Sequence, residues 1–210
     1  MILLAFGHSL LVSVLIATGR FPLYQVTNIS LWMLAAYEIV VGGLLYAFLA
    51  LRGWTPQRIG LRPGWKDTGF GLLLLTGQWI CLGIILLAVF YAAPGLMQQL
   101  IAARVRLVAG PISPVTAVVL SCINAVFEEV FVTGYVITAL RSTQRLWIAV
   151  LVSATIRASY HLYQGPMAVI GILPMGVLFG ACYARFGRLW PLIVAHAVQD
   201  IGALLLSPHA

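Results

Sequence analysis

Charge is what this sequence has least of: 8% of its 210 residues are Asp, Glu, Lys or Arg, and only five are acidic. A soluble domain carries about 25%, so an extensive water-facing surface is excluded. With 62% hydrophobic residues and a mean hydropathy of +1.03, the composition is that of an integral membrane protein. Cysteine is scarce too. Cys81, Cys122 and Cys182 stand apart in apolar segments with no paired spacing, which points to packing residues and not to a disulfide or metal framework. Neither an HExxH zinc signature nor a GxSxG nucleophile elbow occurs. The first apolar run lacks a basic leading region and a small-residue cleavage site, so a retained helix is expected there and not a signal peptide. No basic stretch is interleaved with aromatics, so the formal charge of +7 does not indicate nucleic acid as a partner.

What is present is a series of apolar runs separated by short basic connectors. They predict spans at residues 1–18, 31–51, 68 to about 91, a fourth that contains 122–140 and ends near 140, then 146–163, 167–183 and 189–206. The expected fold is therefore an all-α integral membrane protein, a bundle of about seven transmembrane helices forming one domain over residues 1–210. The stretch 92–112 holds Pro94, Gly95, Arg104, Arg106, Gly110 and Pro111, and its middle is expected to form an interfacial amphipathic helix. Gly176 and Gly180 make a GxxxG step suited to close helix contact. Most of the six Trp residues fall near span ends, as interfacial anchors do. No internal repeat is evident.

The connectors also give an orientation. Seven spans leave Arg52, Arg58, Arg62, Lys66, Arg141, Arg145, Arg185 and Arg188 on the side of the N-terminus, against Arg20, Arg104 and Arg106 opposite. This bias predicts a cytoplasmic N-terminus and an external C-terminus.

Against this background, the adjacent pair Glu128 and Glu129 inside the fourth span stands out. About a dozen Val, Leu, Ile and Phe residues between Val118 and Leu140 favour insertion by roughly 4–7 kcal/mol in all. Two mid-membrane acids oppose it by roughly 5–7 kcal/mol. The terms nearly cancel, so both carboxylates must face partners on other helices. Adjacent positions diverge by about 100° around a helix. Glu128 shares its face with Asn124 and Ser121, Glu129 with Thr133 and Ala125, so one acid is expected to face a reaction and the other to hold a cation or a backbone group. Candidate partners are Arg157 and His161 on the fifth span and His196 and Asp200 on the seventh, each pair spaced i, i+4. At 1.5 Å per residue, all lie roughly 10–22 Å from the cytoplasmic side. Glu38, on the second span, is read as structural; His8 and His209, near the ends, are assigned no role.

The stretches EEVFVTG (128–134), RASYH (157–161) and HAVQD (196–200) resemble the three motifs of the CPBP, or Abi, family of intramembrane proteases, which includes the type II CAAX prenyl endopeptidases. The family pattern is EExxxR, FxxxH and HxxxN/D on successive helices. The loop IGLRPGWKD (59–67) also resembles the segment that often precedes the family core, so the likeness covers roughly residues 60–206. Thr133 stands where the pattern has Arg, and Arg157 where it has Phe.

The resemblance implies peptide-bond hydrolysis within the membrane, in a bacterial plasma (inner) membrane. Glu128 would be the general base on a water positioned by His161, with His196 and Asp200 stabilising the oxyanion or orienting the imidazole. Glu129 completes the catalytic set; Arg157 and Asn124 support it. Arg157 is expected to reach Glu129 in place of the missing Arg. The implied partners are membrane lipid and a peptide or membrane-protein substrate. No cofactor is expected, although Glu128, His161 and His196 would also suit a divalent ion such as zinc. Two other readings stay open: a catalytically silent membrane binding or immunity protein, favoured by the Thr133 and Arg157 departures, and a proton-coupled transporter, disfavoured by the short chain without inverted repeats.

Overall fold

In hydrocarbon, every backbone N–H and C=O must be satisfied within the protein, which for these runs means helices. A computed structural model describes residues 1–23, 25–107 and 110–206, except for the side chains of 103–107. The side chains of Arg104 and Arg106, and residues His209 and Ala210, therefore lie outside the described residues. Among the described residues eight helices follow one another: α1 (Ile2–Ala17), α2 (Asn28–Leu51), α3 (Trp65–Ala92), α4 (Pro94–Leu107), α5 (Pro114–Leu140), α6 (Leu146–Tyr160), α7 (Ala168–Phe186) and α8 (Trp190–Leu205). Seven of them match the expected spans within a few residues. The eighth, α4, occupies the stretch expected to form an amphipathic helix.

Helices α2, α3, α5 and α7 are long and apolar enough to cross a membrane. Helices α1, α6 and α8 are apolar but have only 15–16 residues. At 1.5 Å per residue that is about 23–24 Å, short of a hydrocarbon core of about 30 Å. The outward surface is apolar, with Leu3, Ile29, Met33, Leu51, Trp65, Ile84 and Tyr91 largely exposed, as a lipid-facing surface requires.

Lipid is as apolar as leucine, so burial alone does not hold such helices together; close packing and internal hydrogen bonds do. The GxxxG step works in this way. A Cβ on Gly176 would lie 3.0 Å from the Cα of Ala154, and one on Gly180 3.0 Å from Cγ1 of Val150, so α7 presses its backbone against α6. Gly71 brings α3 equally close to Pro191 and Val194 on α8. Phe127, Phe131, Val132, Phe179 and Leu192 fill the centre. The polar loop 52–64 docks on the turn between α7 and α8: Leu189 N donates to Gly60 O (3.0 Å), and Tyr183 Oη to Ile59 O (3.1 Å). Gly60 has φ +69°, and any side chain there would collide with the Gly187 carbonyl. This packing leaves α5, α6 and α8 side by side at the centre, with α2 against α5.

Candidate active site

Helix α5 does not wind uniformly. From Glu129–Tyr135 it follows a π-helical path before returning to α at Val136. Such bulges loosen the backbone ladder and occur frequently at functional sites. Here Ser153 Oγ, on α6, donates to the Val132 carbonyl at 2.8 Å, tying the wide turn to the neighbouring helix. Within the turn, Thr133 Oγ1 donates to Glu129 Oε2 at 2.7 Å.

The buried guanidinium of Arg157 enters this turn from α6. Its Nη2 donates to Glu129 Oε1 at 2.6 Å and to Thr133 Oγ1 at 3.1 Å, and Nη1 lies 3.4 Å from Glu128 Oε2. The expected cross-helix pair between Arg157 and Glu129 is thus present, with Thr133 bonded to both members. His196, from α8, places Nδ1 2.8 Å from the same Glu129 oxygen. A carboxylate oxygen only accepts, so Nδ1 carries the hydrogen. The 3.4 Å approach of Arg157 Nη1 to that nitrogen then sets donor against donor and is not a bond. On the far side of the ring, Nε2 is 3.4 Å from Asp200 Oδ2.

The two adjacent acids differ sharply. Glu129 is fully buried, and both its oxygens are taken by Arg157, His196 and Thr133. Glu128 has one oxygen held: Oε2 accepts from Tyr160 Oη at 2.7 Å and faces Arg157. Among the described residues, its other oxygen, Oε1, meets only the amide of Asn124, at 3.5 Å. That same amide donates at 2.6 Å to Glu38 on α2.

His161 is placed differently from the sequence expectation. Helix α6 ends at Tyr160 and not at Tyr163, and His161 is its C-cap, followed by a single 3₁₀ turn at Leu162–Gln164. The i, i+4 rule for a shared helix face therefore does not apply to it. Its Nδ1 lies 3.0 Å from its own helix's Arg157 carbonyl, so this nitrogen donates and Nε2 stays free to accept. The ring, half-buried beside Tyr160 and Tyr163, makes no hydrogen bond to Glu128, Glu129, His196 or Asp200.

Glu128, Glu129, Arg157, His196, Asp200 and Asn124 therefore come together from three helices, and His161 stands beside them at a helix end. Among the described residues, no group of three or more His, Cys, Asp or Glu side chains is arranged to hold a metal ion. Two members were not foreseen. Tyr160 lies three residues after Arg157 in the same motif and so shares its face, a spacing that marked it as a partner. The link from Glu38 to Glu128 runs through Asn124, and the sequence alone reads Glu38 as structural with no partner named.

No curated protein and no solved structure gives a significant match to the chain. Residues 110–202, which contain every member of the cluster except Glu38, match the family model described as Rce1-like, type II CAAX prenyl endopeptidase. That match, over the membrane core that carries the site, supports the CPBP/CAAX protease family.

Proposed function

We propose that the chain is an intramembrane endopeptidase, a single membrane domain in which Glu128 is the general base, acting on water without a metal. The observation that carries this is the asymmetry of the acids. Glu129 has no oxygen to spare, whereas Glu128 has Oε2 anchored and Oε1 open to a proton. A water between Glu128 Oε1 and His161 Nε2 would lose a proton to the carboxylate as its oxygen attacks the peptide carbonyl. The carboxyl group would then return that proton to the leaving amine. His196 faces carboxylate oxygens at both nitrogens, a setting in which a doubly protonated ring donates to each. A cation there would offset the developing oxyanion, and Asp200 would fix the ring's tilt. Arg157 neutralises Glu129, which keeps the second acid from competing for the same proton.

A peptide or membrane-protein substrate fits the family match, a bacterial plasma membrane is carried over from the resemblance, and a cytoplasmic N-terminus fits the basic-residue bias. The silent-relative reading draws on Thr133 and Arg157. Their contacts weaken it, because the cation missing at position 133 is supplied from α6. The test is cleavage of prenylated and unprenylated peptides ending in a CAAX sequence by purified, reconstituted protein, with fragments identified by mass. Wild type should release a carboxyl-terminal fragment from at least one peptide, and Glu128→Gln should release none. Equal release by both proteins would refute the assignment.

A further inference from the structure

One buried acid lies outside both the family match and the motifs. Glu38, near the middle of α2, is 4% exposed. Its Oε1 accepts from Asn124 Nδ2 at 2.6 Å, while Oε2 is buried without a hydrogen-bond partner among the described residues. Through the Asn124 amide, which also lies 3.5 Å from Glu128 Oε1, it meets the same site from a fourth helix. An acid with an unpartnered buried oxygen is a costly way to join two helices. The joint does not need it: Leu31 and Ala35 pack against Ala117 and Leu120, and Gly42 lets α2 close on Phe127.

We propose that Glu38 is a positioning residue for Glu128, acting through the Asn124 amide. The proposal rests on reading Glu128 as the base. An amide nitrogen has two hydrogens, and Asn124 Nδ2 faces two carboxylate oxygens, Glu38 Oε1 and Glu128 Oε1. Turned over, the side chain would set its carbonyl oxygen against both acids. Glu38 thus selects the orientation in which an N–H points along α5 at the one oxygen of Glu128 that Tyr160 and Arg157 leave open. The carboxylate is then fixed from both ends. The long 3.5 Å contact marks Oε1 as steered and not sequestered. A glutamine at position 38 keeps the size and can still bond to Asn124. It can also donate, however, so it no longer dictates which way the amide faces.

The test is infrared spectroscopy on detergent-purified full-length protein, with the Glu128 carboxylate band identified by its loss in Glu128→Gln. In Glu38→Gln the band should shift in the same sense as in Asn124→Ala, and Glu38→Gln/Asn124→Ala should shift it no further than Asn124→Ala alone. On any CAAX peptide that wild type cleaves, Glu38→Gln should lower kcat about tenfold and leave KM unchanged, the pattern of a lost transition-state interaction. An unmoved Glu128 band in folded Glu38→Gln overturns the proposal, even where wild type cleaves. A moved band in a protein that cleaves nothing upholds the relay and overturns the peptidase reading instead.

Discussion

Replacing Arg157 by Phe restores the residue that the family pattern has at that position, yet it should damage this protein. Among the described residues, the guanidinium is the only Lys or Arg partner of Glu129, through a 2.6 Å bond, and it also bonds Thr133 and faces Glu128. Removing one partner of a buried pair leaves the other charged and unsolvated, which typically costs about 3–5 kcal/mol. For a chain of this size, each kcal/mol lowers the unfolding midpoint by roughly 2–4 °C, so a loss on the order of 10 °C is expected. Thermal aggregation of detergent-purified protein would measure it. The informative variant is Arg157→Phe/Thr133→Arg. Thr133 Oγ1 already lies between Arg157 and Glu129, so an arginine at 133 brings a cation to the same carboxylate from one turn along α5. The pair should recover part of the midpoint and part of the cleavage. A stable Arg157→Phe protein, or a double variant that expresses normally but regains nothing, would refute the relocated-cation argument.

Three further outcomes follow from the same structure. Gly176→Leu should disrupt the close approach of α7 to Ala154 and lower stability by about 1–3 kcal/mol, read as a lower midpoint in the same assay, whereas Gly77→Leu, on an open face, should change little. Reporter fusions after Lys66 and Arg188 should read cytoplasmic and a fusion after Ala210 external; a cytoplasmic C-terminus would remove the seven-span orientation. Purified protein should hold no stoichiometric zinc by elemental analysis and should keep its activity in chelators. Tightly bound zinc that disappears in both His161→Ala and His196→Ala would favour a Lewis-acid mechanism.

The spans were legible because membrane helices declare themselves by length and apolarity, and their ends by basic connectors. The pairing of Arg157 with Glu129 was legible for a related reason: two acids and one cation in an apolar interior leave few alternatives. The end of α6 was harder to read. The run SYHLYQ (159–164) has no Gly or Pro before Gly165, so no local signal stops the helix at Tyr160. Tertiary contact does so instead: Ser13 on α1 donates to the Tyr160 carbonyl at 2.6 Å and accepts from Tyr163 N, taking up backbone groups that a continued helix would use. The π turn at Glu129–Tyr135 was equally hidden, since only its tie to Ser153 and Arg157 distinguishes it from an ordinary helical stretch.

The central claim is that the two adjacent glutamates have divided their work, Glu128 for chemistry and Glu129 for holding Arg157 and His196. The most direct measurement compares Glu128→Gln with Glu129→Gln for both peptide turnover and thermal midpoint, in one preparation and on one substrate. The account predicts that Glu128→Gln stays folded and loses turnover, while Glu129→Gln loses several degrees of stability with whatever activity it keeps. Full turnover in Glu128→Gln, beside a stable but inactive Glu129→Gln, would contradict it.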